Sequence, residues 1–197
     1  MLLLTSSFAT VATKLRDAGT IQFKDKKVAF IPTASDPYQD KSYLNRDRAS
    51  LVDLGCEVYD VGLKEKEGET LKKALEPADI VFVAGGNVIY LAEQMRKSGF
   101  MEMIRSLLAT RDYIGSSAGS ILLGPSVQPF YAEDIGDLPK DFVLTDNRGL
   151  GLVESIVVPH VNESAFAKEN EEIKRQFGSQ FQIKPMKDDE YLIEELK

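Results

Sequence analysis

The chain alternates short, mostly apolar runs with amphipathic stretches over most of its length. The apolar runs are residues 2–4, 28–31, 80–83, 113–114 and 155–158. Runs this short, bounded by turn-forming residues, are typical of strands that are covered on both faces in a parallel sheet. Between the first two runs, apolar residues recur at helical spacing from Phe8 to Leu15, and Gly19 follows them. This pattern predicts a strand, a helix and a second strand.

The remaining apolar positions extend the alternation. Helical spacing recurs within residues 44–52, 71–78, 88–95, 100–108 and 166–177, and weaker strand patterns cover residues 56–61, 181–183 and 191–193. Strands that alternate with helices predict an α/β fold with a mainly parallel sheet, helices on both faces and right-handed crossovers. Because neither a repeat nor a linker interrupts the pattern, residues 1–197 are predicted to form one domain.

The alternation lapses between residues 124 and 154. Proline and glycine recur in this segment, which also holds the acidic residues Glu133, Asp134, Asp137, Asp141 and Asp146. A connection this long within a compact domain is usually functional or mobile. We therefore expect a functional or mobile loop between these residues.

Composition and charge narrow the classes of partner. The 197-residue chain is 43% hydrophobic and 28% charged, with a formal net charge of -7 and a sequence pI near 4.9. An acidic protein without clustered Lys and Arg is not expected to bind nucleic acid. No apolar run approaches the ~20 residues of a membrane span, and residues 1–4 are too short for a secretory signal. With Cys56 as its only cysteine, the chain is expected to be cytoplasmic, without disulfides or membrane contacts.

A Gly-x-Ser-x-Gly pentapeptide follows the strand predicted at residues 113–114. It consists of Gly115-Ser116-Ser117-Ala118-Gly119, and the apolar residues 121–123 come after it. This spacing is typical of a nucleophile elbow, in which a sharp turn from a strand into a helix exposes one hydroxyl. Ser117 is then the candidate nucleophile. The alternative is a Gly/Ser-rich turn that only joins a strand to a helix.

His160 is the only histidine in the chain, and it lies just after the strand predicted at residues 155–158. A serine hydroxyl needs a base within hydrogen-bond distance, and imidazole is the usual base near neutral pH. In an open parallel sheet, ligands bind beyond the carboxyl ends of the strands. Since Gly85-Gly86-Asn87, the pentapeptide and His160 all follow predicted strands, we expect them to meet at one edge of the sheet.

The imidazole of a Ser-His-Asp triad also needs a carboxylate at its second ring nitrogen. Asp134 is the first candidate, because it lies between Ser117 and His160 and yields the chain order Ser, Asp, His of open α/β hydrolases. Glu133 and Asp137 are alternatives in the same loop. A solvated side chain without a catalytic role remains the other interpretation of each.

A tetrahedral intermediate requires two N–H donors directed at its oxyanion. The N–H of Ala118, the residue after the nucleophile, is one candidate. Gly86 is the other, because glycine allows the backbone to approach a substrate closely; the alternative is a plain strand-to-helix turn. Asn87 is expected to cap the next helix, and both Asn87 and Asn162 are candidates for substrate contact near these strand ends.

Metal, cofactor and thiol chemistry find little support in the sequence. One histidine and one cysteine leave no ligand pair at metal-binding spacing, so neither a metal nor a cofactor is expected. The glycines at positions 85 and 86 lack the spacing and the lysine of a P-loop. Cys56 begins a predicted strand and has no base nearby in the sequence, so it is not expected to act as a nucleophile.

Four segments, taken in order, resemble the aspartyl dipeptidase and cyanophycinase family of serine peptidases. They are residues 30–35 (Phe-Ile-Pro-Thr-Ala-Ser), 84–87 (Ala-Gly-Gly-Asn), 113–119 and 159–160 (Pro-His). The resemblance implies a three-layer, flavodoxin-like α/β domain similar to class I glutamine amidotransferases. It also implies Ser117 as the nucleophile, His160 as its base, and Gly86 with Ala118 as the oxyanion hole. Such an enzyme needs no cofactor and hydrolyses a small peptide substrate.

One segment departs from this family. In aspartyl dipeptidases an arginine after the histidine recognises the acidic side chain of the substrate, whereas residues 167–175 here include three glutamates, and their one arginine, Arg175, comes at the end. Aspartate specificity is therefore not part of the prediction. Two alternatives to a peptidase remain open: an esterase or amidase that acts on a non-peptide acyl group, and a non-catalytic binding protein with the same fold.

Overall fold

The centre of the fold is a six-stranded, mainly parallel sheet. The computed structural model describes residues 1–19 and 21–196. The strands are β1 (Leu2–Thr5), β2 (Lys27–Ile31), β3 (Glu57–Asp60), β4 (Ile80–Val83), β5 (Asp112–Ser116), β6 (Ser155–Val158), β7 (Gln182–Pro185) and β8 (Tyr191–Glu194). The main sheet has the order β3-β2-β4-β5-β1-β8. Its neighbours are parallel except for β8, which is antiparallel to β1.

Helices cover both faces of this sheet, so the predicted three-layer α/β class is confirmed. The helices are α1 (Phe8–Ala18), α2 (Ser42–Asp53), α3 (Gly68–Leu75), α4 (Val88–Lys97), α5 (Phe100–Leu108), α6 (Ala118–Ile121), α7 (Tyr131–Asp134) and α8 (Ala167–Phe177). Because successive strand residues face opposite sides, Leu3 and Phe30 pack with α1 and α2, whereas Leu2 and Ala29 pack with α4 and α5. Within the described part of the chain, no helix has both the length and the apolar character needed to cross a bilayer.

The strand before His160 does not join the main sheet. Among the described residues, β6 pairs with β7 alone, in a separate two-stranded parallel sheet. The expectation that β6 ends at the same sheet edge as β4 and β5 is therefore wrong. The edge beside β1 is occupied by β8, and β6 instead buries its apolar residues in the same cluster as Leu122 and Leu123, just beyond α6.

A buried polar network attaches the predicted loop of residues 124–154 to α4. Glu93 is 2% exposed and accepts hydrogen bonds from the Thr145 N–H (2.9 Å) and the Thr145 hydroxyl (2.7 Å). Arg96 donates to Glu93 and to the carbonyl oxygen of Asp146, at 2.8 Å each. The segment also contains α7 and two short 3-10 turns. It is therefore packed on the domain rather than projecting from it.

Candidate active site

The Gly-x-Ser-x-Gly segment forms a sharp turn between β5 and α6. Ser117 has φ 49° and ψ -110°, a conformation that is energetically costly for a residue with a side chain. Its N–H donates to Thr5 O (3.0 Å), and its carbonyl oxygen accepts from the Ser120 N–H (2.8 Å). A Cβ at Gly119 would lie only 2.1 Å from Val83 O, so glycine is required where α6 crosses β4. The turn has the geometry predicted for a nucleophile elbow.

His160 follows β6 and directs its imidazole at Ser117. Its Nε2 lies 2.9 Å from Ser117 Oγ. The backbone of His160 also has a positive φ, 59°, and its N–H donates to Ser6 Oγ at 2.8 Å. The Phe166 ring stacks on the imidazole with the ring centroids 4.9 Å apart. The structure thus brings the two predicted residues together, although their strands belong to different sheets.

Asp188 provides the carboxylate at the second ring nitrogen. Its Oδ1 lies 2.7 Å from His160 Nδ1, and its N–H donates to Asn162 Oδ1 at 2.9 Å. When Nδ1–H donates to the carboxylate, Nε2 is left free to accept the Ser117 hydroxyl proton. Ser117, His160 and Asp188 therefore form a continuous hydrogen-bonded relay of the kind found in serine hydrolases.

The prediction that Asp134 holds the His160 ring is wrong. Oδ2 of Asp134 accepts from the Val88 N–H at 2.6 Å, in the first turn of α4, where the helix dipole stabilises a negative charge. Of the two alternatives, Glu133 is exposed and Asp137 accepts from the Tyr38 hydroxyl at 3.0 Å. The chain order of the relay is therefore Ser, His, Asp.

Asp188 was not predicted because it follows His160 in the chain, whereas the order Ser, Asp, His indicates a carboxylate between the other two residues. A signal was present in the acidic turn Asp188-Asp189-Glu190 between the last two predicted strands. That this turn lies beside His160 depends on strand pairing, which the sequence does not reveal. β6 and β7 are parallel, with Val158 opposite Pro185. Residues that follow these two strands leave the same end of the small sheet, and this places Asp188 beside His160.

Two backbone N–H groups border the nucleophile. Ala118 is the first residue of α6, where N–H groups have no acceptor within the helix. Gly86 has φ 137°, and a Cβ there would lie 2.3 Å from Ala34 O. A Cβ at Gly85 would lie 3.2 Å from Ser117 Cβ, so the turn after β4 packs against the nucleophile. No described residue accepts a hydrogen bond from the N–H of Gly86 or Ala118.

Both asparagines predicted to contact substrate hold neighbouring parts of the protein. Asn87 is fully buried; its Oδ1 accepts from the Tyr90 N–H (2.8 Å), and its Nδ2 donates to Asp134 O (2.7 Å). The predicted N-cap is therefore confirmed, and both polar atoms of this side chain have a partner within the protein. Asn162 uses its Oδ1 to hold the backbone of Asp188.

Ser117 and His160 face a cavity of about 410 Å³ whose walls are aromatic and acidic. The aromatic residues are Tyr38, Tyr43, Phe130 and Phe166, and the charged residues are Arg46, Asp47, Asp134, Glu169 and Asp188. Burial raises the pKa of Glu169 to about 7, and the charges of Asp134 and Glu133 add to the shift. Burial also raises the pKa of Asp134 to about 6. Because four of the five charged side chains on the wall are acidic, the wall favours a positively charged group over a negatively charged one once these carboxyls are ionised.

The described residues include no group of three or more His, Cys, Asp or Glu side chains that could hold a metal ion. What the site offers is a hydroxyl, a base, a carboxylate and two N–H groups beside a small cavity. Together with the three-layer α/β fold, this arrangement defines a serine-type hydrolase.

The family follows from sequence comparison. The profile of peptidase family S51 matches residues 2–195, and the chain belongs to this family. An uncharacterized peptidase of Listeria monocytogenes is 28% identical over 96% of this chain and 91% of its own length. A peptidase E of Nostoc sp. is 30% identical over 77% of this chain and 59% of its own length.

A solved structure shows the same architecture. The crystal structure of a provisionally assigned peptidase E from Listeria monocytogenes EGD-e matches with a TM-score of 0.84 at 25% identity, over 100% of this chain and 98% of that one. A peptidase from an acI-B1 actinobacterium shares the fold with a TM-score of 0.61 at 19% identity, over 87% of this chain and 73% of that one. The fold is therefore common to both structures, and the likeness extends over the full chain in the first.

Proposed function

We propose that this protein is a serine peptidase of the dipeptidase type, which hydrolyses short peptides through an acyl-enzyme at Ser117. The observation that carries the proposal is the relay from Ser117 Oγ to His160 Nε2 (2.9 Å) and from His160 Nδ1 to Asp188 Oδ1 (2.7 Å). Spacings of this size permit proton transfer without rearrangement of the three side chains.

In the proposed reaction, Ser117 Oγ attacks the carbonyl carbon of the scissile peptide while His160 Nε2 takes the hydroxyl proton. Asp188 stabilises the resulting imidazolium, and the oxyanion accepts hydrogen bonds from the N–H groups of Ala118 and Gly86. His160 then returns the proton to the leaving amine as the C–N bond breaks. Water attacks the acyl-enzyme with His160 again as the base, and Ser117 regains its proton from the imidazolium.

The size and charge of the cavity support a short peptide with a free amino terminus. A volume of about 410 Å³ lies within the range of sites for small molecules. Asp134 and Glu169 supply negative charge on its wall, to which a substrate ammonium group would be attracted. The same carboxylates would repel an acidic substrate side chain, so we propose that aspartate is not the preferred N-terminal residue. Relatives named peptidase E support a peptide substrate.

A variant without the nucleophile tests the mechanism. Ser117→Ala is expected to reduce kcat on short peptides by about 10⁴- to 10⁶-fold, because a triad acts as a unit, while far-UV circular dichroism stays unchanged. Ser179→Ala, at an exposed serine beyond α8, is the matched control and should retain full turnover. Hydrolysis that persists in Ser117→Ala at the wild-type rate would contradict the proposal.

Labelling and a substrate panel separate the alternative activities. A fluorophosphonate should form an adduct with Ser117 of the wild type and none with Ser117→Ala; absence of labelling in the wild type would favour a binding protein. Free dipeptides, N-acetylated dipeptides and simple esters can then be compared. The proposal requires the highest kcat/KM for the free dipeptides. Preference for esters or acetylated substrates would indicate an esterase or an amidase instead.

A further inference from the structure

Ser6 lies between β1 and α1, where it contacts both the base and the carboxylate of the relay. Its side chain is fully buried. Its Oγ lies 2.6 Å from Asp188 Oδ1, 2.8 Å from the backbone nitrogen of His160 and 3.3 Å from His160 Nδ1. One hydroxyl therefore joins the main sheet to both residues that the second sheet contributes to the site.

The chemistry of these groups defines the direction of each hydrogen bond. An ionised carboxylate can only accept, so Ser6 Oγ–H donates to Asp188 Oδ1. The oxygen of the same hydroxyl accepts from the His160 N–H. Asp188 Oδ1 then receives two donors, Ser6 Oγ–H and His160 Nδ1–H, the latter at 2.7 Å. The carboxylate oxygen is thereby held in line with the imidazole.

Ser6 also supports an unfavourable backbone conformation. His160 has φ 59°, which a residue with a side chain adopts only when its surroundings hold it there. The hydrogen bond from the His160 N–H to Ser6 Oγ is such a contact. The preceding residue, Thr5, accepts from the Ser117 N–H at 3.0 Å. The end of β1 thus holds the nucleophile through Thr5 and the base through Ser6.

We propose that Ser6 is a positioning residue of the relay, whose hydroxyl aligns His160 and Asp188 with Ser117. This inference rests on the proposed function. Ser6 acts through His160 and Asp188 and does not touch the reacting atoms. Its loss should therefore lower kcat and leave KM unchanged, because misplacement of a catalytic group by a fraction of an ångström slows the chemical step without weakening substrate binding.

Ser6→Ala is the first test. We expect kcat to fall about 10- to 100-fold while KM stays constant. Ser98→Ala is the matched control, because Ser98 is 2% exposed and its hydroxyl donates to the Met95 carbonyl oxygen (3.2 Å), far from the relay in sequence and fold. It removes an equally buried hydroxyl and should leave kcat unchanged. If Ser6→Ala does not fold, Ser6→Cys retains the volume with a weaker donor and should lower kcat in the same way.

A double-mutant cycle with Asp188→Asn distinguishes positioning from a general structural role. If Ser6 acts through Asp188, its removal should cost at most about threefold in the Asp188→Asn background, since coupled residues are not additive. The single histidine of the chain adds a spectroscopic readout, because its imidazole NMR signals cannot be confused with others. The Nδ1–H signal should shift or broaden in Ser6→Ala and stay in place in Ser98→Ala.

Two results would overturn the role of Ser6. One is equal kcat in Ser6→Ala and Ser98→Ala, and the other is full additivity with Asp188→Asn together with an unchanged Nδ1–H signal. Either result leaves the proposed function intact as long as Ser117→Ala is inactive. Turnover that survives Ser117→Ala contradicts the proposed function itself, so the two failures are distinguishable.

Discussion

Ser117 lies among strands that are buried throughout, whereas His160 and Asp188 follow the two strands of a smaller sheet, of which only the first is largely buried. All residues of β1 and β4 are buried, as are those of β5 after its first residue. In the smaller sheet, β6 is buried after its first residue, whereas none of the residues of β7 is buried. The side chains of His160 and Asp188 are 20% and 21% exposed.

This contrast indicates how each part of the site is held. The nucleophile is positioned by close backbone packing, such as that at Gly119, so its geometry follows from folding of the main sheet. The base and the carboxylate are positioned by hydrogen bonds with Ser6 and Asn162 rather than by close backbone packing. Substitutions in the first region should therefore act mainly on stability, and those around the relay mainly on turnover.

Among the residues that position or orient the base, the largest effect is expected at Asp188. Asp188→Asn should reduce kcat by about 10⁴-fold, because an amide no longer stabilises the imidazolium or the required tautomer, while the urea midpoint stays close to that of the wild type. Asp189→Asn changes the neighbouring, exposed carboxylate and should have no effect on kcat. Equal activity of the two variants would remove Asp188 from the relay.

A substitution in the tightly packed main sheet should instead lower the stability of the fold more than the rate of turnover. Gly119→Ala would bring a Cβ to 2.1 Å from Val83 O, and overpacking of this kind should lower the free energy of unfolding by about 3 kcal/mol. Gly136→Ala is the control, since apart from its chain neighbours no described residue has an atom within 4 Å of a Cβ there. Urea denaturation measures both. If Gly119→Ala is as stable as the wild type but has a reduced kcat, substitutions in the main sheet do not act mainly on stability, and the contrast between the two regions fails.

A buried carboxyl in the main-sheet region should make stability depend on pH. Asp47 is 4% exposed and accepts from the Ala9 N–H at 3.0 Å; burial raises its pKa to about 6. The folded protein then holds this proton more tightly than the unfolded chain does, so stability decreases as the pH rises from about 4 to about 6. Asp47→Asn should remove this decrease and be more stable at pH 7 by roughly 2 kcal/mol. Urea unfolding at several pH values tests this, and parallel curves for the two proteins would contradict it.

The smallest effect is expected at Glu169, on α8 beside the cavity. Since its pKa is raised to about 7, its carboxylate attracts a substrate ammonium mainly above that pH. Glu169→Gln should raise KM for free dipeptides about fivefold at pH 7.5, because a partly exposed ion pair contributes little, and should leave KM for N-acetylated peptides unchanged. Glu172→Gln, one turn further along α8 and paired with Arg175, is the control. An equal change in KM for both substrates would exclude recognition of the amino group.

Much of the fold could be predicted because its signals are local. The apolar runs around Leu3, Phe30 and Phe82 became buried strands, and the stripe from Phe8 to Leu15 became α1. The Gly-x-Ser-x-Gly spacing also predicted the turn at Ser117, since a glycine at position 119 is what permits α6 to cross β4. Each of these features depends on residues that are neighbours in the chain or repeat with a fixed period.

The carboxylate of the relay could not be predicted in this way. Asp134 and Asp188 both lie in acidic segments of the sequence, and nothing local distinguishes them. In the folded chain, Asp134 accepts a hydrogen bond from the Val88 N–H, whereas Asp188 lies beside His160 because β6 pairs with β7. Ser6 was missed for the same reason, because its partners lie 154 and 182 positions away.

By itself, then, the sequence determined a three-layer α/β fold, a strained serine at the end of a buried strand and a single histidine that could serve as its base. Only the tertiary structure decided which carboxylate completes the relay, that His160 comes from a separate sheet, and that Ser6 connects the two parts. The physical reason is that periodicity reports which side of a segment is buried, whereas the segment that packs against it is selected by the free energy of the whole folded chain.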